Sequence, residues 1–248
     1  MNRKILALAL LLSALPFFSA SAMIPYEVHW GGLHVASVHL KMIEKNGITT
    51  ASTDIRSQGL LDVVYSFAAN YQSQFTKEKT LDYTGSFTRR GKQDARSWMV
   101  EKDKITITEG PTDRVKPGLL VGNIIDPLAV FTKLPQDTAN GQPVSYKVFD
   151  GKHLFDITGK DLGLTEKRIL NRHVKGREIA LTIDPVAGIK KRDLKRWAAS
   201  KINVLMTPEA PHQILQIWVE SSGTSGVARA NNYIKANYDV IKRTLPGF

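Results

Sequence analysis

The stretch Tyr65-Ser66-Phe67-Ala68-Ala69-Asn70-Tyr71-Gln72-Ser73-Gln74-Phe75 alternates along most of its length. Tyr65, Phe67, Ala69, Tyr71 and Phe75 fall on one side, and Ser66, Ala68, Asn70, Gln72 and Gln74 on the other. Successive side chains of a strand point to opposite faces, so this pattern reads as a half-buried strand. Working outward, the same period governs most of the chain. Tyr26, Val28 and Trp30 share a face before the turn signal Gly31-Gly32, and Ala36, Val38, Leu40 and Met42 share one after it. Asn46-Gly47 is a two-residue hairpin signal, with Ile48–Arg56 as the returning strand.

Beyond Phe75 the spacing predicts strands at 86–90, 94–101, 104–109, 146–149, 152–157, 177–183, 198–206, 213–221 and 228–240. Asp150-Gly151 reads as a hairpin turn and Asp184-Pro185 as a strand end. About eleven short strands at regular spacing point to an all-β sandwich, barrel or strongly curved sheet. Helix is confined to two places. Asp126 is a cap and Pro127 suits the first helical position, which predicts a helix over Pro127–Leu134. Gly59–Val64 reads as a single further turn. No linker or repeat divides the chain, and Gly110–Asn123, with two prolines and three glycines, is its weakest join.

The chain has 248 residues, no cysteine and a formal charge of +11. Without cysteine there are no disulfides, thiolate nucleophiles or cysteine metal sites. Arg3 and Lys4, the apolar run Ile5–Phe18 and the small-residue triplet Ala20-Ser21-Ala22 have the form of a secretory signal peptide. The expectation is a leader at 1–22 and one mature all-β envelope domain at 23–248. An exported chain is a poor partner for nucleic acid, and no recognition motif for one appears.

Chemical motifs are scarce. No phosphate loop, dinucleotide fingerprint, H-E-x-x-H or G-x-S-x-G is present. His29, His34 and His39 fall five apart, a spacing that alternates faces in a strand, so no metal or cofactor is expected. Asp126 and Asp150 are read as a cap and a turn, alongside Pro127 and Gly151, and no catalytic residue is assigned. Two features suggest binding. The run Lys190-Lys191-Arg192-Asp193-Leu194-Lys195-Arg196 gathers five cations, at Lys190, Lys191, Arg192, Lys195 and Arg196, fit for phosphate or carboxylate groups. The aromatics Tyr65, Phe67 and Tyr71 are suited either to sheet core or to the lining of an apolar groove.

Four segments carry a family resemblance. Tyr26-Glu27-Val28-His29-Trp30-Gly31-Gly32-Leu33, Arg56-Ser57-Gln58-Gly59-Leu60-Leu61-Asp62 with Tyr65, Asp126-Pro127-Leu128-Ala129 and Val148-Phe149-Asp150-Gly151-Lys152 occur in that order. They resemble the exported bacterial family known as domain of unknown function 3108. The resemblance implies an envelope protein rich in curved sheet, and it supplies no catalytic residues.

Together these readings give an all-β fold with one or two short helices: a single strongly curved antiparallel sheet, β-spiral or half-barrel-like. The expected role is periplasmic binding or scaffolding for an amphiphilic or anionic envelope component, such as lipid, lipopolysaccharide or peptidoglycan, with peripheral membrane contact. Two alternatives stand beside it. One is an envelope hydrolase acting on glycan or lipid. The other is an outer-membrane β-barrel, which the proline at 246 and the charges Lys242-Arg243 disfavour.

Overall fold

The protein is described here by a computed structural model, which covers residues 21–30, 33–64, 66–169, 172–190, 194, 200–210, 212–221 and 232–236. Among the described residues, fourteen strands make one sheet. The first described strand lies in its middle. From β1 (Ser21–Trp30) the chain meanders outward through β2 (Leu33–Lys45), β3 (Ile48–Ser57), β4 (Phe67–Phe75), β5 (Thr80–Arg89) and β6 (Lys92–Glu101) to the edge strand β7 (Lys104–Glu109). The segment after Gly110 then crosses to the opposite edge, where β8 (Ile124–Ile125) pairs parallel with β9. A second meander returns inward through β9 (Val144–Phe149), β10 (Leu154–Ile169), β11 (Arg172–Ala187), β12 (Ser200–Met206) and β13 (Ile214–Ser221) to β14 (Asn232–Ala236). The two meanders join where β14 pairs antiparallel with β1. The expected curved antiparallel all-β fold is what the chain adopts.

Turn chemistry explains the local joins. Asn46 and Gly47 take φ of 53° and 74°, the left-handed pair that a tight hairpin needs. Helix α1 (Gly59–Val64) links β3 to β4, as its single turn was read. Helix α2 (Pro127–Asp137) begins after Asp126, whose carboxylate accepts from the backbone N–H of Leu128 and Ala129 at 2.7 and 3.0 Å. It runs three residues past the expected Leu134, because Pro135 lies near its C-terminal end and its missing N–H interrupts little. There the Thr138 hydroxyl donates to the Leu134 carbonyl at 2.6 Å. Leu128, Ala129, Val130, Leu134 and even Lys133 are buried, so the helix is enclosed rather than laid on a surface. It packs against β3, β4 and β9. Burying a leucine fully stabilises by roughly 1.5–3 kcal/mol, and Leu134 is 1% exposed.

Several expectations are corrected. Fourteen strands replace about eleven, and β5 begins at Thr80 rather than Ser86. The segments read as 152–157 and 177–183 belong to a long ribbon of 16-residue strands, β10 and β11. Asp184-Pro185 does not end β11: Pro185 pairs with Phe155 beside a bulge. Of the segment read as 228–240, Asn232–Ala236 forms β14 and the rest lies outside the described residues. The ribbon was hidden because β9 pairs β10 only as far as Gly159. Past that point the inward positions of β10 are Asp161, Gly163, Thr165 and Lys167 while Leu162 and Leu164 are exposed, so the strand shows no apolar-in alternation until Ile169.

Candidate functional site

Antiparallel register aligns residues from successive strands into rows across the sheet. One row runs Tyr26, Val38, Ile55, Ala69, Phe87, Asp94. The next runs Ile24, Leu40, Thr53, Tyr71, Gly85, Arg96. Both rows begin apolar and end on a charge. Helix α2 lies against this face, and a cavity of about 260 Å³ remains between them. Val38, Leu40, Ile55, Leu128 and Phe131 form its apolar walls, and Thr53, Tyr71, Tyr83, Arg96 and Asp150 its polar end. Phe131 is held edge-on to Tyr26, with ring centroids 5.5 Å apart. The Tyr26 hydroxyl is occupied elsewhere, donating to the Ile214 carbonyl at 3.2 Å.

Glycine makes the polar end possible. A Cβ on Gly85 would lie 2.8 Å from Tyr71 Cδ1 and 2.9 Å from Tyr83 Oη. Its absence lets Tyr71 lie over the β5 backbone with the Tyr83 ring 6.4 Å away and nearly parallel. Burial pushes the ionisation of both tyrosines upward, more strongly for Tyr83, so both stay protonated at neutral pH. A second cavity, also about 260 Å³, shares Tyr71, Tyr83 and Arg96 with the first.

The charges belong to a seam between β6 and the β9–β10 turn. Arg96 donates to Asp150 at 2.7 Å and to Asp94 at 2.9 Å. Lys152 lies 3.9 Å from Asp94. Asp150 also holds its own turn, accepting from the backbone N–H of Lys152 and His153 and lying 3.0 Å from His153 Nδ1. Burial pushes the Asp150 carboxyl up, but the hydrogen bond from His153 and the charge of Arg96 outweigh it and hold it below the usual range. Gly151 at φ 85° brings the turn so close that a Cβ there would lie 2.9 Å from Arg96 Cβ. Beside this cluster Trp98 stacks obliquely on Phe149, with centroids 5.6 Å apart. Trp98, Phe149, Tyr83, Leu154 and Ile124 form a small buried core with Val115 and Leu120 from the crossing segment.

Asp126 ties the same two halves together. Its second carboxylate oxygen accepts from Ser73 on β4 and from Thr80 on β5, the latter at 2.7 Å. Its expected role as helix cap is therefore correct, and it also anchors the helix to the first meander. Burial pushes its carboxyl up, against the four hydrogen bonds that favour its charge.

The sequence-predicted residues are distributed unevenly. Tyr71 lines the cavity. Phe67 is inward-facing and half-buried but packs on Phe87, with centroids 6.2 Å apart, outside the cavity lining. Asp126, Pro127, Asp150 and Gly151 occupy the expected cap and turn, and Pro127 and Asp150 also reach the cavity. Lys190 is exposed, whereas Tyr65, Lys191, Arg192, Lys195 and Arg196 lie outside the described residues. The β1–β2 register pairs His29 with His34, whose rings stack 5.4 Å apart. Among the described residues no group of three or more histidines and carboxylates is placed to hold a metal ion. Sequence reading missed Thr53, Tyr83 and Arg96. The signal for them was the row register, which requires strand pairing that a single sequence does not display.

Fold and site together define a class: a sheet curled around a short buried helix, with an amphipathic cavity between them. The chain is similar to the crystal structure of a β-barrel-like protein of domain of unknown function 1849 from Brucella abortus. The two align with a TM-score of 0.52 at 7% identity, over 88% of this chain and 96% of that one. At that identity the likeness concerns the fold alone. No protein-family model matches the chain, and no curated protein does.

Proposed function

We propose that this is an exported envelope protein that binds a single-chain amphiphile between its curled sheet and α2. The observation that carries the reading is the cavity itself, with an aliphatic and aromatic body and with Tyr71, Tyr83, Arg96 and Asp150 on the β4–β6 side of its rows. Small-molecule sites commonly combine an apolar lining with a few placed polar groups in roughly 300–1,000 Å³. A volume of about 260 Å³ sits just below that range and favours one short chain or ring over a two-chain lipid. The leader-like N-terminus and the resemblance to domain of unknown function 3108 support an envelope setting. The basic run at 190–196 is proposed as a separate contact with an anionic envelope surface.

The geometry favours binding over hydrolysis. Asp94 and Asp150 are both engaged by Arg96, Asp126 is occupied by Ser73, Thr80 and the α2 backbone, and the tyrosine hydroxyls resist ionisation. An integral membrane barrel is also less favoured. Such a barrel closes its ladder on itself, whereas β7 and β8 are the two ends of this sheet's strand order.

The test is fluorescence titration with N-phenyl-1-naphthylamine, an uncharged probe that brightens in apolar sites. Wild type gives a saturable rise, and Val38→Trp and Ile55→Trp, which fill the cavity, lose most of it while keeping a cooperative thermal transition. No saturable rise in wild type, or an undiminished rise in both folded variants, would overturn the proposal.

A further inference from the structure

We infer that the head group accepted by this cavity is uncharged: an alcohol, ester or amide on a single apolar chain or ring, with carboxylates, phosphates and ammonium groups turned away. The inference rests on the cavity being a binding site, as proposed above, and concerns what it selects.

The polar end presents three hydroxyls and a charge cluster that is already satisfied. Thr53 Oγ1 is buried and has no hydrogen-bond partner among the described residues. It sits in the same cross-strand row as Tyr71, and Tyr83 Oη reaches that row beside Gly85. Among the described residues the Tyr71 and Tyr83 hydroxyls also make no hydrogen bond. That contrasts with Tyr26 and Tyr146, which donate to Ile214 and Asp137. Of the three, the Thr53 oxygen is the fully buried one; a buried hydroxyl left unpartnered costs roughly 1–3 kcal/mol, which a ligand oxygen beside it would recover.

Arg96 is the cation among the lining residues, and it is not available to an anion. Asp150 and Asp94 hold two of its nitrogens at 2.7 and 2.9 Å. An incoming carboxylate would displace one of them and then face both at close range. A cation fares no better. Asp150 already accepts from two backbone N–H groups, from Arg96 and from the His153 side. Lys152 further offsets Asp94. A charged head would lose its hydration without gaining a free counter-charge, a penalty that an uncharged head avoids. The upward push on both tyrosine ionisations keeps their hydroxyls as donors at neutral pH.

The experiment is displacement of bound N-phenyl-1-naphthylamine at pH 7.5 by octan-1-ol, octanoate, octyl phosphate and octylammonium. The expected result is half-displacement by octan-1-ol at a concentration at least about tenfold lower than for the three charged ligands. Because octanol is also the most apolar of the four, variants carry the decision. Thr53→Val with Tyr83→Phe should weaken octanol by about tenfold, the size of one or two hydrogen bonds, once displacement is corrected for the probe affinity titrated in the same variant. Asp94→Asn, which releases one side of Arg96, should strengthen octanoate by about threefold or more and leave octanol alone. Equal displacement by octanoate and octanol in wild type would overturn the inference. So would an order of preference unaltered in both variants, which marks selection by hydrophobicity only. In either case the probe still binds and the amphiphile reading survives; failure of the probe to bind wild type removes both.

Discussion

The sheet joins its two meanders in two places, by different means. At β1 and β14 the join is a backbone ladder of five Cα partner pairs, Tyr26–Trp30 against Asn232–Ala236. At β6 and β9 no ladder forms, and side chains make the join: Trp98 on Phe149, and Arg96 on Asp150. A ladder is made of groups that every residue carries, so it tolerates side-chain change. The side-chain seam depends on particular residues, each with a particular size and charge. The polar end of the cavity sits at the second seam, where Arg96 and Asp150 both line it. The proposed binding site and the specific closure thus draw on the same residues.

Substitutions should separate the two joins. The largest effect is expected at Trp98, which is fully buried in the small core of the seam. Trp98→Ala should cost about 3–5 kcal/mol in urea unfolding, as large-to-small changes in tight cores do. Next comes Asp126→Ala, which removes the α2 cap and leaves Ser73 and Thr80 without their buried acceptor. A loss of about 2–4 kcal/mol follows from adding a cap to a stranded hydrogen bond. Chemical denaturation of both variants against wild type checks the order.

A smaller and pH-dependent effect belongs to Asp150. Its carboxyl is held below the ordinary value in the folded chain, so its stabilisation is present above the unfolded pKa of about 3.9. That contribution is lost as the pH falls through the folded value. The stability gap between wild type and Asp150→Asn should therefore be widest near pH 6 and shrink below about pH 4. Asp126, raised by burial, titrates with the opposite sign, which is why the comparison is made between these two proteins rather than on wild type alone. A gap constant from pH 6 to pH 3 would show that the Arg96–Asp150 pair does not hold the seam. The smallest effect is expected on the ladder side. Val28→Thr, in the β1–β14 pairing, should change stability by less than about 1 kcal/mol.

The sequence made some of this legible. Alternation from Phe67 to Phe75 placed Ala69, Tyr71 and Phe75 on the inner face, and burial agrees at each of the three. Asp126-Pro127 marked the start of α2, because a short acceptor followed by proline is a local signal. Asp150-Gly151 marked its turn for the same reason. The partners of those residues were not legible. Arg96 meets Asp150 across 54 positions and Ser73 meets Asp126 across 53, and alternation reports a face without reporting a neighbour. Thr53 looked like one more polar strand residue until the register set it beside Tyr71. The outer half of the β10–β11 ribbon was missed for a different reason: among the described residues, beyond Gly159 its strands gain no partner besides each other until β12 reaches Arg177–Leu181.

The central claim is that an amphiphile binds between α2 and the sheet, and methyl-resolved nuclear magnetic resonance tests it most directly. Isoleucine, leucine and valine methyls would be followed while octan-1-ol is added. The account predicts saturable shifts concentrated on Val38, Leu40, Ile55 and Leu128, with Ile105, Ile107 and the exposed Leu162 and Leu164 unchanged. Shifts confined to Leu162 and Leu164, or shifts that grow linearly at every site without saturating, would contradict it.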